Sequence, residues 1–505
     1  MPAALPALPA ALPALPAALP ASLADPAAAA RAMLAALPAR LRHILASTPE
    51  LRRAYLVGGC VRDALLGIPV KDHDVEVFGV TYEALAEALA RHGRTDLVGR
   101  SFGVVKLTLP GAPGYDFTVP RRDSKVASGH KGFEITTDPS LSPEEAAARR
   151  DYTCNALMVE VQTGALLDFY GGVRDLTAGV LRHTSAAFTE DPLRVLRGLQ
   201  FAGRFGFSAA PETAALCGQI KETHAELASE RIREEWSKWA ARSQHPSAGL
   251  RFLRDTGWIE NYPELSALID TPQEPEGPPS GTGNTDVFVH TGLCLDALVQ
   301  LAEWREADEA SRIAWSLAVL AHDLGRPSAS TRAVRDGRER SLSSGHEETG
   351  VLLALALLSR MAATEATRER VLPLVGNHLA HLQAITDSAV RRLALRLEPE
   401  TIHGLAVVVR ADAAGRPALP PEPPGLTQLL ETAKRLRLES ARPRELLQGR
   451  HLVELGMKPG ATFKVILSAA FEAQLDGAFF DLDGAKRWLA TAAVPLPDEA
   501  RARLR

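Results

Sequence analysis

The sequence predicts an α/β unit on its N-terminal side, a mixed sheet with helices, followed by a longer and mostly α-helical remainder. Three observations carry this. Residues 54–79 and 101–119 hold short apolar or alternating runs separated by a helix-forming stretch, the pattern of strands with helices between them. Beyond residue 187 the apolar spacing becomes helical, as in Leu193, Leu196 and Leu199. Two proline- and glycine-rich stretches, 271–286 and 416–425, then divide the helical part into modules.

The first 36 residues are a proline-punctuated alanine and leucine repeat with no lysine or arginine before Arg31, and they are read as disordered. A signal peptide needs a basic start and an unbroken apolar middle, and this segment has neither. Met33 is read as an alternative first residue. Ala54 to Val57 then forms a short apolar strand that stops at Gly58-Gly59, and Val61 to Leu66 is a helix ended by Gly67 and Pro69. Lys71 to Phe78 alternates as a second strand, which puts Asp72, Asp74 and Glu76 on one face. A helix over Tyr82 to His92, a strand in 101–110 and a strand over Tyr115 to Val119 follow, the last bringing Asp116 to the sheet.

Composition sets limits on function. Hydrophobic residues make up 46% and charged residues 23% of 505, as in ordinary globular proteins. The net charge of −4 gives no global basic signature, so any nucleic-acid contact must come from local patches. Cys60, Cys154, Cys217 and Cys294 are scattered without metal-cluster spacing, which points to a reducing, cytoplasmic setting. Charged residues or prolines interrupt every apolar run before it reaches membrane-spanning length, so no membrane partner is expected.

Carboxylates that share one face repel one another unless a cation lies between them. Oxygen donors suit Mg²⁺, which is held by one or two carboxylates together with substrate phosphates. The Gly58-Gly59 pair lets backbone amides approach a triphosphate, and Arg62 adds positive charge to that cradle. A lone DxD is more often an exposed acidic strand, but GGCVRD followed by DHD nine residues after Asp63 is far more specific.

This segment resembles the head of the tRNA nucleotidyltransferase and bacterial poly(A) polymerase family, a branch of the polymerase-β-like nucleotidyltransferases. The resemblance implies Asp72 and Asp74 as Mg²⁺ ligands, with a third catalytic carboxylate for which Asp116 fits and Glu76 competes. AARRDYTCNAL, 147–157, is similar to the family's RRDFTxNAL element. It implies RNA or phosphate contacts for Arg149 and Arg150 and a ribose contact for Asp151, while Tyr152 in place of phenylalanine is expected to matter little. The polar stretch 120–135, with Arg121, Arg122, Lys125 and Lys131, resembles the flexible loop tied to nucleotide specificity. TEDPLRVLRGLQFAGRFGF, 189–207, carries the EDxxR motif on a helix whose cap is expected at Asp191. The motif implies that Asp191 and Arg194 read the incoming base, with Arg197 also at the nucleotide. A carboxylate only accepts and a guanidinium only donates, so such a pair matches the pairing edges of cytosine and adenine and mismatches uracil and guanine. ASERIREEWSKWA, 228–240, resembles the family's neck helix and begins at a serine expected to cap it.

Between 288 and 412, successive helices carry His290, His322, Asp323, His346, His378 and Asp412. An adjacent His-Asp pair with further histidines on separate helices resembles the HD phosphohydrolases. The minimal set His290, His322, Asp323 and Asp412 would then hold Mn, Ni, Fe or Zn, with His346 and His378 extending it, and Arg326 standing where HDLGK has lysine. Lys434, Arg435 and Arg437 lead a basic patch suited to RNA phosphates, and LVELGMKPGATFKVILSAAFEAQLDGAF, 452–479, which follows it, resembles the family's tRNA-binding tail. The expected boundaries are a disordered segment 1–36, head 37–186, helical neck 187–270, linker 271–286, HD domain 287–415, linker 416–425 and tail 426–505. The expected activity is template-independent addition of CMP and AMP to tRNA from CTP and ATP. Partial CC or A addition, poly(A) synthesis, and an HD phosphohydrolase on a non-catalytic RNA-binding head are the alternatives.

Overall fold

The structure is a computed structural model that describes residues 21–96, 103–111, 114–125, 133–272, 286–329, 331–335, 338–342, 346–416 and 422–504. The chain divides into two compact units, Met1–Asn261 and Tyr262–Arg505.

The first unit begins with helices α1 (Ala21–Ala24), α2 (Pro26–Ala35) and α3 (Ala39–Ser47). The expectation of disorder over 1–36 is thereby corrected for 21–35. Asp25 accepts a hydrogen bond from the Ala28 amide at 2.9 Å and Pro26 opens α2, while Ala30 and Met33 are buried. An alanine-rich repeat of low complexity is also a strong helix former, and a buried face is what fixes it.

The sheet region comprises β1 (Ala54–Val57), α4 (Gly59–Leu65), β2 (Asp74–Val77), α5 (Tyr82–Ala90), β3 (Arg94–Asp96), β4 (Val104–Thr108), β5 (Tyr115–Thr118), β6 (Arg121–Lys125), β7 (Phe133–Thr137), α6 (Pro143–Ala148), β8 (Met158–Glu160) and β9 (Leu166–Leu167). Seven strands lie in the order β3-β4-β5-β2-β1-β8-β9. All pair antiparallel except β2 with β5, which is parallel. Every residue of central β1 is buried, as its apolar run predicts. The stretch 120–135, expected as a polar loop, instead holds β6 and the start of β7, which pair antiparallel, with 126–132 outside the described residues.

The unit closes with α7 (Gly172–Ala178), β10 (Val180–Leu181), α8 (Leu193–Phe205), β11 (Ser208–Ala209), α9 (Pro211–Gln219), α10 (Ser229–Arg242) and α11 (Pro246–Asp255). Leu193, Leu196 and Leu199 are buried on α8, as their spacing requires. Helices α10 and α11 pack on α8, and a Cβ on Gly249 would stand 2.8 Å from the Leu199 carbonyl oxygen. These three helices all belong to the expected neck, which is joined to the head through α8, where Arg197 donates to Asp151 and the Arg194 carbonyl accepts from Tyr152. The chain's break into compact units falls after Asn261. Ser229 is the first helical residue of α10 rather than its cap, and no side chain caps that end.

The second unit contains α12 (Pro263–Ser266), α13 (Val287–Leu298), α14 (Ala302–Glu306), α15 (Glu309–Ala321), α16 (Arg326–Ala329), β12 (Thr331–Arg335), β13 (Arg338–Leu342), α17 (His346–Arg360), α18 (Glu365–Asn377), α19 (Asp387–Arg396), α20 (Ile402–Ala414), α21 (Pro424–Leu436), α22 (Gly449–Glu454), α23 (Ala461–Leu475), α24 (Leu482–Thr491) and α25 (Asp498–Ala502). The antiparallel β12–β13 pair interrupts what reads as helix throughout. The expected HD and tail segments fall in this one unit, and 273–285 of the expected first linker lie outside the described residues. Among the described residues no helix is long and apolar enough to cross a membrane.

Met33→Ala is expected to lower unfolding stability by about 2 kcal/mol, the low end for truncating a buried methionine. Urea denaturation checks this, and an unchanged midpoint would show that α2 contributes no packing.

Candidate active site

Asp74 opens β2 and Asp116 lies in β5, and the parallel register sets them directly side by side. Asp72 is exposed and precedes the strand, so the alternation expected from Lys71 begins only at Asp74. Glu76 sits opposite Thr118, is buried, and accepts from Arg150 Nη2 at 3.0 Å. The geometry therefore groups Asp116, not Glu76, with Asp74. Burial pushes the Asp74 carboxyl above its ordinary value, the Arg150 guanidinium pulls it back, and Asp116 and Asp72 push it up again. Three crowded oxygen donors, one of them exposed, fit a hard cation such as Mg²⁺.

The glycine turn stands beside these acids. Gly58 caps α4 at φ 73° and ψ −131°, a conformation that favours glycine. A Cβ there would lie 2.9 Å from Arg150 Nη1. Arg150, expected at RNA, thus lies between the glycine turn and the acids. Arg62 is committed elsewhere. Only 4% exposed, it donates to Asn155 Oδ1 at 2.6 Å and to Asp63, and its guanidinium packs over the Phe201 and Phe205 rings at 5.1 and 4.7 Å. It clamps α4 to α8 just behind Gly59.

Asp151 is likewise held by protein rather than open to a ribose. Its Oδ1 accepts from the Tyr152 amide at 2.7 Å and Asn155 Nδ2 at 2.9 Å, and its Oδ2 accepts from Arg197 Nε at 2.7 Å. Burial pushes Asp151 up, but Arg197, Asn155 and the Tyr152 amide outweigh it and hold the carboxyl below its ordinary value. Arg197 accordingly serves as the anchor of α8 to the head. Tyr152 is fully buried and its hydroxyl donates to the Arg194 carbonyl at 2.9 Å, so the change from phenylalanine adds a bond that the sequence reading discounted.

The EDxxR pair lies at the start of α8. Asp191 accepts from the Leu193 amide at 3.1 Å, which preserves the expected capping bond although Pro192 is the cap residue. It also takes a two-pronged contact from Arg231 of α10, Nη2 to Oδ2 at 2.9 Å and Nη1 to Oδ1 at 3.3 Å. Arg194 donates to the carbonyls of Ala187 at 2.8 Å and Arg149 at 2.6 Å. Arg149 reaches Glu190 at 3.5 Å. Arg231 is not singled out by the sequence, where it stands only within the stretch that resembles the family's neck helix.

A second constellation lies in the other unit. His290 of α13, His322 after α15, His378 after α18 and Asp412 of α20 are all buried, as is Asp323. His290 Nε2 is 3.0 Å from Asp412 Oδ1 and 3.7 Å from Asp323 Oδ2, and His322 Nε2 is 3.3 Å from Asp323 Oδ2. His322 Nδ1 and His378 Nδ1 each stand 2.7 Å from a backbone carbonyl, of Val319 and Val375. That arrangement aims Nε2 of both rings inward, as in histidine metal ligands. Burial pushes His322 down, but Asp323 and Asp412 outweigh it and raise it to about 10. Two buried carboxylates that draw a proton onto the neighbouring imidazole fit a cation site. Arg326 pairs with Asp323 at 2.8 Å and Arg416 with Asp412 at 3.1 Å. His346 opens α17, but its side chain lies outside the described residues. Cys294, one turn beyond His290, belongs to the same cluster and was not anticipated. On α21, Lys434, Arg435 and the left-handed Arg437 are exposed, and Arg435 pairs with Asp387.

A mixed sheet with carboxylates on adjacent strands, flanked by a glycine turn and an arginine, defines a polymerase-β-like nucleotidyltransferase head. Residues 54–182 match the poly A polymerase head domain, and 206–269 match the "Probable RNA and SrmB- binding site of polymerase A". The multifunctional CCA protein of Xanthomonas campestris pv. campestris is 36% identical over 376 residues, covering 72% of this chain and 85% of that protein. That of Nitrosospira multiformis is 34% identical over 381 residues, covering 74% and 85%. Among solved structures, the Thermotoga maritima CCA-adding enzyme complexed with tRNA superposes with a TM-score of 0.56 at 19% identity, covering 94% of this chain and 98% of that one, a likeness of fold. The chain belongs to the tRNA nucleotidyltransferase family of CCA-adding enzymes.

Asp151→Asn is expected to cost about 1–2 kcal/mol at neutral pH through the weakened Arg197 pair. Because the folded carboxyl titrates below its ordinary value, the pair's stability is present above about pH 4 and is lost as pH falls through the depressed value. Chemical denaturation of both proteins should show the difference shrinking below about pH 4; a gap constant with pH would contradict the pairing.

Proposed function

We propose that this chain adds cytidylate and adenylate to the 3′ end of tRNA without a nucleic-acid template, consuming CTP and ATP and releasing pyrophosphate. The carrying observation is the side-by-side placement of Asp74 and Asp116 next to the Gly58 turn. Asp72, Asp74 and Asp116 would hold Mg²⁺, which when bound supplies the positive charge that favours attack by the ribose 3′-hydroxyl on the α-phosphate. The O3′–P bond forms as the bond to pyrophosphate breaks. The Gly58 and Gly59 backbone and the Arg150 guanidinium bind the triphosphate, while Arg62 keeps α4 in place behind them.

Asp191 and Arg194 read the base. A carboxylate has about four acceptor sites, so Asp191 retains capacity beside its bonds from Leu193 and Arg231. Arg231 fixes the carboxylate and two backbone carbonyls fix the guanidinium, so the reading edge is preorganised rather than assembled by the nucleotide. Arg149, Lys434, Arg435 and Arg437 attract the RNA backbone. The four cysteines are free and buried, which supports a cytoplasmic setting.

The convergence of His290, His322, Asp323 and Asp412 favours a second activity, hydrolysis of phosphoesters in the second unit. A transition metal would supply Lewis acidity there for activating water.

Purified protein given tRNA without its CCA end should extend it by CCA with CTP and ATP. Growth by A alone on CC-ended tRNA, without use of CTP, would overturn the full assignment. Asp74→Ala and Asp116→Ala should each lower extension by at least about 100-fold. His322→Ala with Asp323→Ala should leave extension intact while abolishing metal-dependent phosphate release from a phosphomonoester. In Asp191→Ala, discrimination against UTP and GTP should fall by about tenfold, the worth of one net hydrogen bond. Competition between labelled triphosphates measures this, and unchanged selectivity would rule out base reading by Asp191.

A further inference from the structure

We propose that Cys294 is a sulfur donor to the cation held by His290, His322 and Asp412. The buried site of the second unit would then be a mixed nitrogen, oxygen and sulfur centre for a borderline divalent ion such as Zn²⁺ rather than for Mg²⁺. The inference rests on reading this cluster as a metal centre.

Position is the first argument. His290 and Cys294 are four residues apart on α13, so their side chains project from one face a turn apart. One donor atom from each of His290, Cys294, His322 and Asp412 lies within 4.8 Å of all the others, close enough for a small inward movement to bring them onto one ion. Cys294 Sγ is 3.4 Å from His290 Nε2 and 4.0 Å from Asp412 Oδ1. A buried cysteine is usually a small apolar filler, but this one has an imidazole and a carboxylate as polar neighbours. It also has space made for it: a Cβ on Gly415, just beyond α20, would collide with Sγ. By contrast, Cys60 Sγ donates to the Val57 carbonyl at 3.2 Å.

Charge is the second argument. Arg326 on Asp323 and Arg416 on Asp412 leave both carboxylates partly neutralised. A thiolate restores one negative charge next to the ion, and thiolate with imidazole donors suits zinc-like metals while disfavouring hard, oxygen-seeking Mg²⁺. Binding would release the thiol proton to solvent as the sulfur–metal bond forms.

The test uses the full-length protein, stripped of metal and titrated with Co²⁺. A sulfur-to-cobalt charge-transfer band in the near ultraviolet should grow with the visible cobalt bands and saturate with them. In Cys294→Ser the ultraviolet band should vanish while the visible bands remain, and Zn²⁺ affinity should fall at least about 10–100-fold, the cost of losing even an outer partner of a metal ligand. Cys60→Ser should keep the band. Cobalt bound by the native protein without that band would overturn the sulfur donor but not the metal centre, and this outcome needs no variant to fold. Failure to bind either Co²⁺ or Zn²⁺ would overturn both, and ready displacement of Zn²⁺ by Mg²⁺ would overturn the stated preference.

Discussion

Mutual repulsion between Asp74 and Asp116 is the constraint around which the head is arranged. Two carboxylates on adjacent strands are unfavourable in themselves, and the sheet keeps them together because the strand residues that alternate with them are fixed by apolar packing. Val75, Val77 and Phe117 are wholly buried beside them, and β1 supplies a buried apolar partner along β2. The parallel pairing of β2 with β5, the exception in an antiparallel sheet, is what sets the two acids level. A slip of one residue would turn Asp116 to the opposite face. The acids are thus held close by strand register, and the tendency to take up a cation follows from that placement.

The arginines of the head show how the remaining charge is distributed. Arg150 answers Glu76 and stands by the glycine turn. Arg62 joins α4 to α8, Arg197 joins α8 to Asp151, and Arg231 joins α10 to Asp191. Each ties a motif residue to a different element, so the motifs form one connected scaffold rather than separate contact points. Tyr152 adds to it through its bond to the Arg194 carbonyl. These links order the side chains before any nucleotide arrives, which lowers the entropy lost on binding.

Strands and helices were legible where burial is one-sided and periodic: β1, β2, β5 and α8 lie within a few residues of their expected spans. Asp74 was legible because strand alternation fixes facing, whereas Asp72 lies before the strand and Asp116 was indicated only by the family resemblance. The reach of a long side chain was not legible, because it depends on which element packs nearby. Arg62 and Asp151, expected at phosphate and ribose, are therefore found bonded within protein networks, and Arg150, expected at RNA, pairs with Glu76 beside the acids. Helix α2 was hidden for a different reason, since an alanine-rich repeat has the composition of a disordered tract until a docking surface is known. Cys294 was invisible as a candidate because nothing local distinguishes it, and only the meeting of α13, α15 and α20 gives it polar neighbours.

The second unit meets the same electrostatic problem under opposite conditions. Asp72 is exposed, so a cation in the head can exchange and can share its shell with substrate phosphates, as Mg²⁺ does. In the second unit His290, His322, Asp323 and His378 are at most 2% exposed, and a charge there has little water to stabilise it. A cation arriving there would displace the proton that Asp323 and Asp412 draw onto His322, leaving imidazoles that donate electron pairs without adding repulsion, while Arg326 and Arg416 pair with the two carboxylates. An ion in that setting has to be retained by its donors rather than brought by substrate. Burial and donor type thus differ between the two clusters on one chain: an oxygen-rich one with an exposed carboxylate in the head, and a buried one of mixed nitrogen, oxygen and sulfur atoms in the second unit.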